Sequence, residues 1–280
     1  PFMRYSRNSE NLGFDGNVVK MATLVETEYC WLFGDDDVIK DNALDVILNQ
    51  ITNNYDLIVI NASLYSLDLS KEITHRHLPI ENDKSYHGDD IENAFLDLSL
   101  YTSFVGSLVV KKALWEKIDF TKYLKTGFVH VGIVYEYLNN KSKVLFISNP
   151  LISIRLGNSG WSRNSFEIWH ILWVRAINKI PNYSEKIKKM VYSDLKDISL
   201  KGYILERAKG SLRIDVYKRF LEKEPSISQT RKLYLKVLLL VPVSLLKSLL
   251  KFYLIYKKPA SYKYQLYELE SSSTKEVKYL

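Results

Sequence analysis

A single cysteine in 280 residues, Cys30, excludes a disulfide framework within the chain, and its apolar surroundings suit a reducing compartment. No G-x-x-x-x-G-K-[ST] run occurs, which removes the most familiar phosphate-cradling loop. Nowhere do about 20 apolar residues follow one another without charges, so a lone spanning helix is not expected. The amino end lacks an initiator Met, a charged leader with a short apolar core, and a small-residue cleavage site. Pro1-Phe2-Met3-Arg4-Tyr5 reads like the middle of a strand, and the expectation is a chain that starts inside a larger fold. Any excess of basic residues is missing until the tail. The net charge is +7, yet 14 Lys and Arg face 6 Asp and Glu between Ser211 and Leu280, which leaves the preceding part near neutral. A near-neutral body argues against nucleic acid as its partner. The tail asks for a separate electrostatic partner, a membrane surface or a nucleic acid.

What is present starts with Glu28-Tyr29-Cys30-Trp31-Leu32-Phe33-Gly34-Asp35-Asp36-Asp37. A strand-like aromatic run stops at a glycine and delivers three carboxylates. Burying them uncompensated would cost several kcal/mol per charge, so they belong at the mouth of a sheet. There, oxygen ligands suit a hard divalent ion such as Mg²⁺ or Mn²⁺ shared with substrate phosphates, and the carboxyl edge of an α/β sheet is where such folds bind ligands. Asp35 and Asp37 are the candidate ligands, with Asp36 beside them. Turn and helix-cap chemistry accounts for an acidic triplet equally well.

Around this stretch, helix and short apolar strand alternate. Asp15 can cap a helix to about Thr27, and Asp41 starts another that ends at Asn53-Asn54. Asp56 to Asn61 is a buried strand. Leu67 to Tyr86 is polar and reads as a solvated loop, its Thr74-His75-Arg76-His77 lacking further metal ligands nearby. Asp89 or Asp90 caps a helix to about Leu100. Phe104 to Val110 reads as a strand in which Gly106 marks a bulge or close backbone approach, and Lys111 to Lys117 as a short helix. A helix begins near His130, and Lys143 to Ser148 is a strand closed by Asn149-Pro150. This alternation argues for a mostly parallel sheet with packed helices. Arg155, followed by a Gly/Asn/Ser loop, suits bidentate contact with a diphosphate, and Trp161 suits a sugar or base face; a surface loop with an anchoring Trp is the alternative.

From Phe166 the pattern is helical. Between Lys236 and Lys247 lie ten uncharged residues broken by Pro242. Beyond them Ser244, Lys247, Ser248 and Lys251 share one face, opposite Leu245, Leu246, Leu249, Leu250 and Phe252. This is the make-up of a helix lying in a bilayer interface, with Lys257-Lys258 adding attraction to anionic lipid; packing on protein is the alternative. Three segments result: residues 1–160 with the acidic site, a helical extension over 161–230, and a basic amphipathic tail over 231–280 whose last residues should be loose.

The order Asn11-Leu12-Gly13-Phe14-Asp15-Gly16-Asn17, helix, EYCWLFGDDD, helix, DLIVIN resembles the family 2 glycosyltransferases, which transfer sugars from nucleotide donors on a GT-A type fold. FVGSLVVKKALW, TGFVHVG and LISIRLGNSGW are similar to the subgroup typified by abequosyltransferases of O-antigen assembly. The resemblance covers roughly the first 175 residues. It implies a GT-A-like α/β domain whose first strand–helix units, those contacting the nucleotide base, are missing. It places Asn11 and Asn17 near the nucleotide, although both also read as turn residues. It puts Gly106 and Ser107 near the donor sugar, and Asp35 to Asp37 on a metal at the donor diphosphate. Many inverting members carry an acidic base where this chain has His130; imidazole can do that work, a satisfied structural His is the other reading, and Glu136 is the fallback. The resemblance further implies a nucleoside diphosphate deoxyhexose donor and a lipid-linked oligosaccharide acceptor at the cytoplasmic face of a bacterial inner membrane. A metal-dependent phosphoryl-transfer enzyme or nuclease, and a non-catalytic assembly protein with a transferase-like fold, are the competing readings.

Overall fold

The structure, a computed structural model, describes residues 3–158, 160–258 and 262–271. Ser159 and the Ser-, Lys- and Glu-rich final stretch expected to be loose lie outside the described residues.

Seven strands form one sheet: β1 (Tyr29–Trp31), β2 (Val38–Ile39), β3 (Leu57–Tyr65), β4 (Glu72–Thr74), β5 (Lys84–His87), β6 (Leu108–Lys111) and β7 (Lys143–Arg155). The order is β1-β6-β3-β7-β2, with β4 on β3 and β5 on β7. β3 is buried from Leu57 to Leu64, and its side chains alternate between two cores as the pleat demands. Leu57 and Val59 face helices α1 (Gly13–Thr23), α3 (Ile91–Leu98) and α5 (Val129–Tyr137). Ile58, Ile60 and Ala62 face α2 (Ala43–Ile51). The helix α4 (Ala113–Lys117) follows β6.

The layering matches the sequence pattern, but the sheet is mixed rather than mostly parallel. Of the described ladders, β3–β7 is parallel and the other five are antiparallel. Alternating helix and strand fixes which face is covered, not which way each strand runs. The polar stretch read as a loop hides β4 and β5, so the chain has already reversed when it enters α3, and β6 arrives opposed to β3. β7 does not end at Asn149-Pro150 but continues to Arg155. Its register against β3 jumps there, Ile60 facing Ile147 and Ala62 facing Ile152, so Pro150 needs no ladder N–H. The buried Asn61 amide fills the irregularity, donating to Ser148 O and Leu78 O and accepting from Ala62 and Leu78 N–H.

α5 is apolar all round and enclosed. Gly132 lets the buried ring of Tyr123 lie directly on it, and an added Cβ would be driven into that ring. Tyr123 cannot swing away, because its hydroxyl donates to Glu136. Gly132→Ala is expected to cost about 2–3 kcal/mol through overpacking, read as a lower urea midpoint with unchanged slope.

The chain continues in helices α6 (Ser165–Glu167), α7 (Trp173–Lys179), α8 (Glu185–Lys188), α9 (Leu200–Ala208), α10 (Ile214–Val216), α11 (Gln229–Leu240), α12 (Val243–Lys257) and α13 (Tyr262–Ser271). α7 joins the core under α5, whereas Phe166, Tyr203, Tyr217, Leu235 and neighbours form a second core. α12 corrects the expected division of faces. Leu246, Leu250 and Leu254 pack toward α9 and α13, Lys247 and Lys251 are half-buried, and Leu245, Leu249 and Phe252 stay exposed. Among the described residues no single helix is long and apolar enough to cross a membrane; α11 and α12 reach that length and composition only together, bent by 99°.

Candidate functional site

The acidic turn lies beside the carboxyl end of β7. Directly after Asp37, β2 pairs with Ile152 and Ser153, which carries the turn alongside Arg155. Arg155 N–H donates to Asp37 Oδ1 at 3.1 Å, and Asn158 Nδ2 donates to Asp36 Oδ2 at 2.6 Å. Two segments 118 and 122 residues apart in sequence thus meet at one edge. The loop after β7 is also held from above. Tyr267 of α13 accepts from Leu67 N–H at 2.7 Å and donates to Leu156 O at 3.4 Å.

Gly34 shows how close the acids come. A Cβ built there would lie 2.7 Å from Asp36 Oδ1 and 3.8 Å from Asp37 Oδ2, so both carboxylates fold over the space that the missing side chain leaves. Desolvation pushes the Asp37 carboxyl up to about 6 from its ordinary 3.8; the Arg155 N–H and guanidinium pull it down, and Asp36 pushes it up. Asp36 and Asp37 are the two acids that lie over Gly34; Asp35 and Asp36 are exposed and Asp37 is half-buried.

Three observations test the fit to a divalent ion and a diphosphate. Two hard oxygen donors lie over Gly34, Asp37 offset by the Arg155 N–H and guanidinium and Asp36 held by Asn158. The buried Arg155 Nε has no hydrogen-bond partner among the described residues, an unmet donor of the kind that pairs with phosphate oxygens. No group of three or more His, Cys, Asp or Glu among the described residues could hold a metal by itself. Asp36 and Asp37 supply two oxygen donors at this edge and no more.

Other expected residues lie elsewhere. His130 is fully enclosed, with Nε2 3.2 Å from Ser103 O and its ring edge-on to Phe14. Burial pushes the imidazole down to about 4, so it is neutral at pH 7, and Nδ1 is buried without a partner. The residue expected as a base at position 130 lies in the interior, because α5 begins at Val129 and is buried from Val129 to Tyr135. The fallback fares no better: Glu136 is ion-paired with Lys122 at 2.5 Å and accepts from Tyr123. Six residues further along α5 it is some 9 Å up the axis from His130.

Gly106 and Ser107 are buried in a tight turn, not open to a donor sugar. Phe104 covers Gly106, whose carbonyl accepts from the Trp31 indole at 2.7 Å, and the Ser107 hydroxyl donates to Phe104 O. Asn11 and Asn17 are exposed before and on α1; Asn11 Oδ1 accepts from Gly13 N–H, and Asn17 Oδ1 from Asn8. Trp161 is 40% exposed and edge-on to Trp169, the outermost of a group with Phe128 and Trp173.

The sequence reads Asp15 only as a helix cap and gives no role to Lys40. Asp15 does not cap its own helix but accepts from Thr126, Gly127 and Val129 N–H, at the start of α5. Lys40 crosses to Ser63 on β3 at 3.0 Å and is held below its ordinary range by burial. Neither leaves a local sequence signal, since both act on segments far along the chain. A cavity of about 220 Å³ between α1 and α4, lined by Val19, Ala22, Lys112, Trp115 and Phe120, contains none of the acids.

No family model matches the chain. The curated relatives it resembles are glycosyltransferases. Over 172 residues it is 30% identical to the abequosyltransferase RfbV of Salmonella typhimurium, which covers 57% of this chain and 50% of that protein. Over 189 residues it is 19% identical to the processive diacylglycerol beta-glycosyltransferase of Mycoplasma pneumoniae, covering 65% of this chain and 54% of the other. The chain spans about half the length of these curated relatives.

Proposed function

We propose that the chain carries the donor-binding edge of a glycosyltransferase. It moves a hexose or deoxyhexose from a nucleoside diphosphate sugar to a lipid-linked saccharide in cell-surface polysaccharide synthesis. The observation that supports this most is the meeting of Asp36 and Asp37 with Arg155 and Asn158 at the end of β7. The names of the relatives, one an abequosyltransferase and one acting on diacylglycerol, agree with a sugar donor and a lipid-bearing acceptor. The basic carboxyl-terminal helices agree with work at the cytoplasmic face of the plasma membrane.

In this reading Asp36 and Asp37 hold Mg²⁺ or Mn²⁺, which supplies positive charge to the departing diphosphate. Arg155, whose guanidinium lies beside Asp37, supplies positive charge for the same phosphates. The Asn158 amide fixes Asp36, so the carboxylate is oriented before the donor arrives. Trp161 offers an aromatic face for a sugar ring. No side chain is assigned as the base, since His130 and Glu136 are both engaged. That engagement favours one second reading, a non-catalytic assembly protein at the membrane.

A donor screen separates the two. The chain is incubated with a panel of nucleoside diphosphate sugars and a lipid-linked saccharide mixture, with Mg²⁺, Mn²⁺ or a chelator. Nucleoside diphosphate release from one donor, lost on chelation, is the expected result. Binding of donor with no release under any condition would favour the assembly protein and overturn the transferase.

A further inference from the structure

α11 and α12 form a built elbow. Pro242 cannot continue α11, and Arg207 of α9 donates from Nη2 to Leu239 O and Val241 O, both at 3.0 Å, which satisfies carbonyls that the break leaves open. Inside the elbow Leu246, Leu250 and Leu254 pack with Leu205, Ala208 and Leu269. Outside it two apolar stripes are exposed among the described residues. On α11 they are Leu233, Val237 and Leu240; on α12, Leu245, Leu249, Phe252 and Tyr256. Each stripe follows helical spacing. The four on α12 are 51%, 59%, 73% and 74% exposed along a helix of 15 residues. Soluble surfaces rarely leave such continuous apolar area open.

Charge selects the occupant. From Gln229 to Lys258 there are seven Lys and Arg and no Asp or Glu. Lys236 and Lys251 are paired with Glu222 and Glu270, and Lys257 and Lys258 are exposed where α12 ends. A second copy of this chain would set like charges against one another. An anionic bilayer surface takes apolar side chains between its lipids and basic ones at its headgroups.

We infer that the outer stripes of α11 and α12 are the surface by which this protein docks on anionic phospholipid, with α12 lying along the interface. The inference rests on the membrane location in the function proposed above and names the residues that would carry it. The test is co-sedimentation of the 280-residue chain with phosphatidylcholine vesicles, with and without phosphatidylglycerol. The native chain is expected to bind the anionic vesicles. Leu249→Ser/Phe252→Ser should weaken that binding about tenfold or more, with an unchanged melting temperature because both side chains are exposed. Lys257→Glu/Lys258→Glu should reduce the preference for phosphatidylglycerol. If the native chain binds and the Ser variant binds equally, this surface is wrong while the membrane location stands. If the native chain binds neither vesicle, the membrane location itself fails. Should light scattering show a dimer that Phe252→Ser dissociates, the face belongs to a second copy and the inference is overturned.

Discussion

Asp37→Asn is expected to reduce metal-dependent donor turnover on the order of 10²–10³-fold, the loss typical of removing one preorganised group from developing charge. The same change is expected to leave the protein more stable, not less. The folded Asp37 carboxyl is held at about 6 against 3.8 in water, mainly by desolvation. Well below 3.8 it is protonated in both states and costs nothing. Between about 4 and 6 the unfolded carboxyl ionises in water while the folded one keeps its proton, so the native state loses stability across that window and the loss is complete above 6. The neutral Asn escapes this loss and still accepts from Arg155 N–H. After discounting for the water that reaches the group, the gain is about 1 kcal/mol above pH 6. Urea titrations in chelator at several pH values from 4 to 8 read it as a difference between the variants that grows up to about pH 6 and is constant above it. An Asn variant less stable than the native chain at pH 8 would show that Asp37 is a structural anion, and the donor site would need another acid. Stability given up at a functional position is the usual trade.

The acidic turn and Arg155 were legible in the sequence because each announces itself locally. A glycine after an aromatic strand delivers the acids, and a charged residue ends a β-branched run. The layering was legible for the same reason, since period-two and period-3.6 patterns report burial directly. Strand direction left no such trace, because β4 and β5 are too short and polar to break the look of a loop. His130 misled for a related reason. Its first-turn position was visible, but the Phe14 ring and the Ser103 carbonyl that close around it come from residues over 25 positions away. α12 shows the limit of periodicity most plainly. Leu245, Leu246, Leu249 and Leu250 read as one apolar face, yet the angle of about 100° between successive residues is enough for α9 and α13 to take one pair and leave the other exposed.

Asp15→Ala is expected to cost about 4 kcal/mol. The Asp15 carboxylate accepts from Thr126 and Gly127 N–H at 2.9 Å each and from Val129 N–H at 3.1 Å. These donors lie at the start of α5, where the first turn has no carbonyl partners of its own. Gly127 holds a φ of +72° there, so the segment cannot relax into another turn without losing its place. Alanine leaves three enclosed N–H groups unmet, at about 1–3 kcal/mol each less what water recovers. Whether charge or acceptor geometry matters is decided by the carboxyl itself. Burial raises it above 3.8 even against the N–H bonds that lower it, so the negative charge is a burden in that place. Asparagine keeps one acceptor oxygen without the charge, and Asp15→Asn should lose only about 1–2 kcal/mol. Denaturant midpoints in the order Asp, Asn, Ala, with the larger step between Asn and Ala, carry the argument. Equal losses for Asn and Ala would mean that the ion, not its hydrogen bonds, ties α1 to α5, and the sign of the burial effect would then be wrong.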